Sequence, residues 1–348
     1  MAQITRALAG TALLTLAFGG PAAAQSLVIS NWDGYMPEDL LDRFTEATGI
    51  EAELSVHATN EEIMGRLVAG GGQGFDVVFV SSPFAEALHA LGLTAELNHD
   101  LIPNAANLYA EAQNLEYDPG NTFSMPYAWG TTGLCYRADL VDEAPTSWDD
   151  LLDPPESLAG EVTMLSTDRW LMAAGLLALG YSVNDTDPAH IDEARDLLIS
   201  ATDTLLAFDD TTFYSRLVSG EASLAHAWDG WCNYGTAEDP NILFVVPEEG
   251  SDLWVDTMVI MASSENQEAA HAFLDFVLDA DNHRWVAENI LYKVPNEAAM
   301  AGLDPALVEA FPNLGMTPAE LLAMEQLRDL GEAQRDYTRA VTEIMAAQ

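Results

Sequence analysis

The hydrophobic pattern of the chain switches repeatedly between two periods. Residues 26–29 (SLVI) form an apolar run of strand type, and 38–48 carry Leu40, Leu41 and Phe44 on one helical face that Gly49 ends. Positions 50–56 alternate as a second strand, 60–68 read as a helix, and 77–80 (VVFV) form the continuous run of a strand buried on both faces. Strand and helix alternate, which predicts a parallel α/β sheet. Between the second helix and the third strand lies AGGGQG. It follows a helix and precedes a strand, the reverse of a phosphate-binding loop, and Phe75 stands where a third glycine is needed, so it reads as a helix-terminating turn.

A second alternating stretch follows WGTTGLCYRADLV. EVTMLS (161–166) reads as a strand, 170–179 as a helix, 189–205 as a longer helix, and SLAHAW (223–228) and ILFVVP (242–247) as strands. LWVDTMVIMASS (253–264) returns to β character before a helix over 267–278, and the C-terminal third is mostly helical with no internal repeat. In open α/β sheets, ligands bind beyond the carboxyl ends of strands. Trp32, Asp33, Gly34 and Tyr35 follow the first strand, and Ser81, Trp228, Asp229, Trp254 and Asp256 stand at similar strand edges. These aromatics and acids are placed to face a cleft.

The N-terminus changes what counts as fold. Residues 1–6 are a short positive start, 7–20 are apolar or small, and Ala22, Ala23 and Ala24 offer a small-residue cleavage site. Residues 1–24 are therefore expected to be a signal peptide, with the mature chain beginning at Gln25. No cysteine sits beside the cleavage site, and no later stretch approaches about 18 uninterrupted apolar residues, so a soluble exported protein is expected. Roughly 320 residues remain, more than one core normally serves, which predicts two lobes.

Composition supports a real core: 49% of residues are hydrophobic and the mean hydropathy is +0.04. The charge is extreme, 56 acids against 12 bases, or −44; loss of Arg6 with the signal takes it to −45. Such a surface repels nucleic acid and anionic lipid, and equally suits solubility in a salty environment. Two cysteines, Cys135 and Cys232, can form one disulfide in an oxidising compartment if the fold brings them together, or remain two buried thiols. No Cys/His spacing suggests a metal site, no cofactor motif is present, and neither G-x-S-x-G nor H-E-x-x-H occurs, so no enzyme activity is expected.

In order and spacing, NWDGY, FTEATGI, GFDVVFVSS, MPYAWGTTGLCY, TSWDDLLDP, VSGEASLAHAWDG, VVPEEG, LWVDTMVI and LYKVPN resemble the spermidine/putrescine-binding branch of the extracytoplasmic solute-binding proteins of ABC importers. The resemblance covers nearly the whole mature chain. It implies the two-lobed, type II periplasmic binding protein fold, with residues 25–134 and 256–300 in one lobe and 135–255 and 301–348 in the other, hinged around a ligand cleft. It also implies a monomer in the periplasm that binds a small cationic amine and delivers it to permease subunits.

Residue by residue, the family's aromatic walls match Trp32, Tyr35, Trp228, Trp254 and Tyr292, its ligand carboxylate matches Asp256, and Ser81 matches a pocket serine. Asp33 and Asp229 are further acids near the proposed cleft. The chemistry is direct: aromatic faces shield methylenes and attract ammonium, while carboxylates bind the charged ends. Trp129 and Trp148 lie in segments that read as packing.

The chain also departs from the branch. Gly34 stands where a polar or acidic residue is common, Pro83 where an aromatic is common, and Thr167 and Trp170 where binders of longer polyamines carry carboxylates, with Asp168 beside them. Lys293, the only lysine, follows Tyr292, and Arg169 and Arg328 fall near segments that line the cleft in relatives. An inward cation would favour a zwitterion that carries an amine and a carboxylate. A sensor subunit is the other alternative; a ferric-ion binder is disfavoured by the absence of a Tyr-Tyr pair, and an exported hydrolase by the missing motifs.

Overall fold

The computed structural model describes residues 26–348, so the expected signal peptide lies outside the described residues. β1 (Ser26–Trp32), α1 (Leu40–Thr48), β2 (Glu51–His57), α2 (Asn60–Gly70), β3 (Val77–Ser81) and α3 (Ser82–Ala90) alternate as the pattern predicts. Gly49 and Gly71 take left-handed conformations, φ 76° and 62°, and end α1 and α2, which makes the glycine cluster a helix stop. Three short 3-10 turns then lead to β4 (Ser124–Arg137). The next stretch holds α4 (Asp149–Leu152), β5 (Val162–Met164), α5 (Asp168–Ala178), α6 (Pro188–Ala201), β6 (Leu205–Phe208), α7 (Phe213–Ser219), β7 (Leu224–Trp228), α8 (Asp229–Glu238) and β8 (Ile242–Val245). β9 (Asp252–Ile260) precedes α9 (Gln267–Leu278), α10 (Ala280–Ile290), α11 (Glu297–Met300), α12 (Pro305–Ala310), α13 (Pro318–Leu321), β10 (Glu325–Gln326) and α14 (Gln334–Met345).

The strands join in the order β2-β1-β3-β9-β4-β7-β5-β6, with β10 beside β9 and β8 beside β4. β1 runs parallel to β2 and β3, and β5 parallel to β6 and β7. β9 is antiparallel to β3 and to β4, and β4 is antiparallel to β7 and β8. The expectation of a parallel sheet therefore holds for β1 to β3 and for β5 to β7 and fails at β9 and β4, which run antiparallel to their neighbours in both halves. The reason is β4: its residues 124–131 pair with β9, whereas 132–137 pair with β7 and β8, so one strand serves both sheets. The fold is the two-lobed arrangement of type II binding proteins.

In the first lobe the sheet is covered on both faces. Leu27, Ile29, Val77 and Phe79 share a core with Phe44 of α1 and Phe273 of α9, while Val78, Val80 and Val259 pack with Ile63 and Leu67 of α2 and Leu88 of α3. In the second lobe α5, α6 and α14 pack together, and α7 and α8 pack on β7. Trp129 and Trp148 are buried in packing roles, Trp129 stacked on Tyr109 and Trp148 donating to the Gly250 carbonyl.

Two local differences from the sequence pattern bear on the site. β1 runs on to Trp32, which therefore closes the strand instead of opening the loop. The helix expected over 189–205 stops at Ala201 and gives way to β6, because Thr202 and Thr204 turn their hydroxyls back onto the Ile199 and Ala201 carbonyls. Cys135 and Cys232 form a disulfide that ties β4 to α8.

Candidate functional site

Strand register brings the first acid into place. Antiparallel pairing sets Asp256 of β9 opposite Ser81, the last residue of β3. Ser81 Oγ donates to Asp256 Oδ1 at 2.6 Å, and Tyr35 Oη donates to Oδ2 at 2.7 Å. Ser81 is itself fixed by Asn60, the first residue of α2: its N–H donates to Asn60 Oδ1 at 3.0 Å, and Asn60 Nδ2 donates to its hydroxyl at 3.1 Å. A carboxylate accepts about four hydrogen bonds. With two donors in place and its side chain only half-buried, Asp256 keeps acceptor capacity on its open side. Desolvation pushes its pKa up to about 6, against the lowering effect of the Ser81 and Tyr35 hydrogen bonds.

Rings surround this acid. Tyr35 meets Tyr292 edge to face at 5.1 Å and Trp32 at 5.5 Å, and Tyr292 meets Trp254 at 5.6 Å. The Tyr35 backbone carbonyl accepts from Tyr127 Oη at 2.8 Å, which holds the β1–α1 turn against β4. Trp32 leans on His57, with ring centroids 4.9 Å apart, and His57 Nδ1 shares a 2.8 Å hydrogen bond with Ser30 Oγ. Burial lowers the His57 pKa to about 4, so the ring is neutral.

The second acid arrives from the other lobe. Asp229 opens α8 directly after half-buried Trp228, and its Oδ1 accepts from the Gly230 N–H at 2.8 Å. Its carboxyl and the Trp254 ring converge beside Gly130, where a Cβ would stand 2.4 Å from Trp254 Cζ2 and 2.5 Å from Asp229 Oδ1. The Tyr292 ring similarly presses on Gly230, 2.4 Å from where a Cβ would be. Only glycine permits these two close approaches. Asp229 is almost fully buried, and desolvation pushes its pKa up to about 8.

Ala128 pairs with Asp256 and Gly130 with Trp254, so β4 meets Asp256 at one position and, two residues on, offers the Gly130 gap that the Asp229 carboxyl enters from α8. Tyr292 and Trp254 adjoin the path between them. Two carboxyls walled by aromatic rings can hold ammonium groups joined by methylenes.

The remaining expected residues are placed as follows. Asp33 lies exposed on the β1–α1 turn, outside the ring cluster, and Gly34 beside it takes φ 67°. Trp170 is buried and meets Trp228 edge to face at 5.6 Å. Asp168 accepts through Oδ2 from Gln334 and Thr338 of α14.

The three cations near the cleft have other partners. Lys293 turns its Nζ to the Leu314 carbonyl at 3.2 Å, and burial lowers its pKa to about 8 against the raising effect of Asp229. Arg169 donates to the carbonyls of Arg328 and Val183 and to Asn184 Oδ1. Arg328 grips Glu86 with two bonds, at 2.6 and 3.0 Å. None of them donates to Asp256.

Sequence reasoning missed Asn60 and His57, which support the site without standing in a recognisable motif, and Tyr127, which lies in MPYAWGTTGLCY but was given no role. It also missed Asp252, buried at the start of β9 with its pKa pushed up to about 6 by desolvation. Among the described residues no group of three or more His, Cys, Asp or Glu is placed to hold a metal ion.

Comparison with known proteins places the chain in a family. The putrescine/cadaverine-binding protein of Pseudomonas aeruginosa is 33% identical over 90% of this chain and 91% of its own. The spermidine/putrescine-binding periplasmic protein of Escherichia coli is 32% identical over 80% of each chain. Among solved structures, the spermidine/putrescine ABC transporter substrate-binding protein PotD of Streptococcus pneumoniae superposes with a TM-score of 0.79 at 30% identity, covering 93% of this chain and 99% of that one. The family model for bacterial extracellular solute-binding proteins matches residues 39–311. The chain belongs to the bacterial extracellular solute-binding protein family.

Proposed function

We propose that the protein is the solute receptor of an ABC importer, that it captures a polyamine between its lobes, and that it hands the ligand to the permease without chemical change. The observation that carries this reading is Asp256, half-buried, held by Ser81 and Tyr35 and backed by aromatic rings. Trp32, Tyr35, Trp254 and Tyr292 shield the methylenes, Asp256 and Ser81 receive one ammonium, and Asp229 receives the other beside Trp228. Asp33, exposed at the rim, attracts the cation on approach.

The lobes proposed to close on the ligand are 25–134 with 256–300 and 135–255 with 301–348, joined through β4 and β9. Export through the N-terminal signal places a monomer in the periplasm. Relatives named for putrescine, cadaverine and spermidine support the ligand class. A zwitterion is the weaker reading, since Arg169 and Arg328 bond to other groups and Lys293 turns its Nζ to the Leu314 carbonyl.

A thermal-shift panel of putrescine, cadaverine, spermidine, spermine, γ-aminobutyrate and basic amino acids tests the proposal. A ligand that binds only the native state raises the melting temperature. A shift with one or more of the polyamines is expected; a shift with γ-aminobutyrate or the amino acids alone would overturn the assignment.

A further inference from the structure

Tyr292 is the ring that touches both halves of the cage, and the backbone just before it is unusual. Leu291, which ends α10, has φ 54° and ψ 28°. It and Asn121 are the only non-glycine residues with positive φ among those described. In this conformation Cβ crowds the carbonyl, a steric cost that leucine does not relieve with a polar side chain as asparagine does. Such strain persists where the surroundings over-determine it.

Here the surroundings come from the opposite lobe. Asn233 Nδ2 donates to the Leu291 carbonyl at 2.7 Å, and Tyr234 Oη donates to the Ile290 carbonyl at 2.9 Å. Both side chains belong to α8, the helix that begins with Asp229 and is bonded to β4 through Cys232. They take up carbonyls at the end of α10, which have no partners within their own helix. On the far side, the Trp129 N–H donates to the Lys293 carbonyl at 3.1 Å, so the chain is gripped immediately before and after Tyr292. α10 itself is tied to the first lobe, where His283 Nε2 and the Tyr127 carbonyl lie 2.9 Å apart.

We infer that Asn233 and Tyr234 are positioning residues for ligand binding: from the second lobe they hold Leu291 in its left-handed turn and so aim the Tyr292 ring into the cage. Neither needs to touch the ligand. Without them the turn relaxes toward ordinary right-handed backbone and Tyr292 leaves its contacts with Tyr35 and Trp254. A glycine at 291 adopts the same turn without steric cost and removes the need for the grip.

The inference rests on the polyamine reading for its ligand but has a ligand-free readout. Asn233→Ala, Leu291→Gly and the double variant are compared with wild type by putrescine titration and by the near-ultraviolet circular dichroism of the packed rings. Asn233→Ala is expected to weaken putrescine binding about tenfold and to diminish the aromatic signal, and Leu291→Gly added to it is expected to restore both to within about threefold. If Asn233→Ala does not fold, Tyr234→Phe with and without Leu291→Gly carries the comparison with a smaller loss; because it also removes a tyrosine chromophore, only the part of the signal and of putrescine binding that Leu291→Gly restores is read. An unchanged aromatic signal in Asn233→Ala, or a loss that Leu291→Gly leaves unrepaired, would overturn the inference. If wild type binds no putrescine, the polyamine reading fails, and the ligand-free aromatic signal with its rescue still decides the positioning role.

Discussion

The first-lobe end of the cage is assembled by strand register and the second-lobe end by the start of a helix, and the two acids differ accordingly. Asp256 has neighbours that pair with its ionised form: Ser81 across the strand and Tyr35 from the turn. Asp229 has a helix N-terminus and the backbone donors of Gly230 and Thr131, packed tightly against Gly130 and the Trp254 ring. Burial outweighs those donors more at Asp229 than at Asp256, so one carboxyl titrates near pH 8 and the other near pH 6. On the proposed reading, the same residue type supplies a charge that is ready at neutral pH at one end, and one that an arriving ammonium must draw out at the other.

The largest expected effect breaks the second-lobe end mechanically. The disulfide ties α8 to β4 and closes a long loop, 97 residues in separation, so replacing both Cys135 and Cys232 by alanine should cost about 2–4 kcal/mol in a denaturant titration. An unchanged midpoint would mean that packing alone holds α8. Next, Asp256→Asn keeps the shape and removes the charge, and calorimetry should show putrescine affinity falling about tenfold to 150-fold, or 1.5–3 kcal/mol, with the fold intact. Asp229→Asn should cost less at neutral pH, roughly threefold to tenfold, because the free acid is largely protonated there. If Asp229→Asn instead costs more than Asp256→Asn, the assignment of the ready charge is reversed.

The contrast sharpens with pH. Both folded-state pKa values lie above the unfolded value, so the native state holds more protons than the unfolded state between about pH 4 and pH 8. The contribution of these groups to ligand-free stability is fully present below about pH 4 and is lost as pH rises through about 6 and then 8. A bound diamine favours the ionised forms, so thermal shifts with putrescine should grow across the same window, and a shift that shrinks with rising pH would contradict it. The smallest effect concerns ligand length. Trp170 is a buried indole where, by the family resemblance, longer-polyamine binders carry an acid; on that reading wild type should prefer putrescine to spermidine, and Trp170→Glu should gain spermidine affinity by roughly threefold to fivefold. A tenfold preference of wild type for spermidine would show that length is set elsewhere.

Most of the first lobe was legible because its elements are long and periodic: α1, α2 and β3 lie within two residues of where apolar spacing put them. The reversal of strand direction at β9 and β4 was not, because antiparallel pairing between strands far apart in sequence leaves no local pattern. Trp32, Tyr35, Ser81, Trp254 and Asp256 were readable from their positions at strand ends together with the family resemblance. Asn60 was not, since a residue that buttresses a serine through two hydrogen bonds looks from sequence like any helix start. Lys293 seemed the main threat to amine binding. Its direction depends on the fold around the Leu314 carbonyl, which composition cannot reveal.

The most direct test is calorimetric titration of the exported, ligand-free protein with putrescine at about pH 6 and about pH 8, in buffers of different ionisation enthalpy, alongside Asp256→Asn. One putrescine per chain is expected, bound more tightly at the higher pH, with protons released on binding and affinity falling at least tenfold in Asp256→Asn. Absence of heat with putrescine, cadaverine and spermidine alike, or affinity unchanged in Asp256→Asn, would contradict a cage built around that carboxylate.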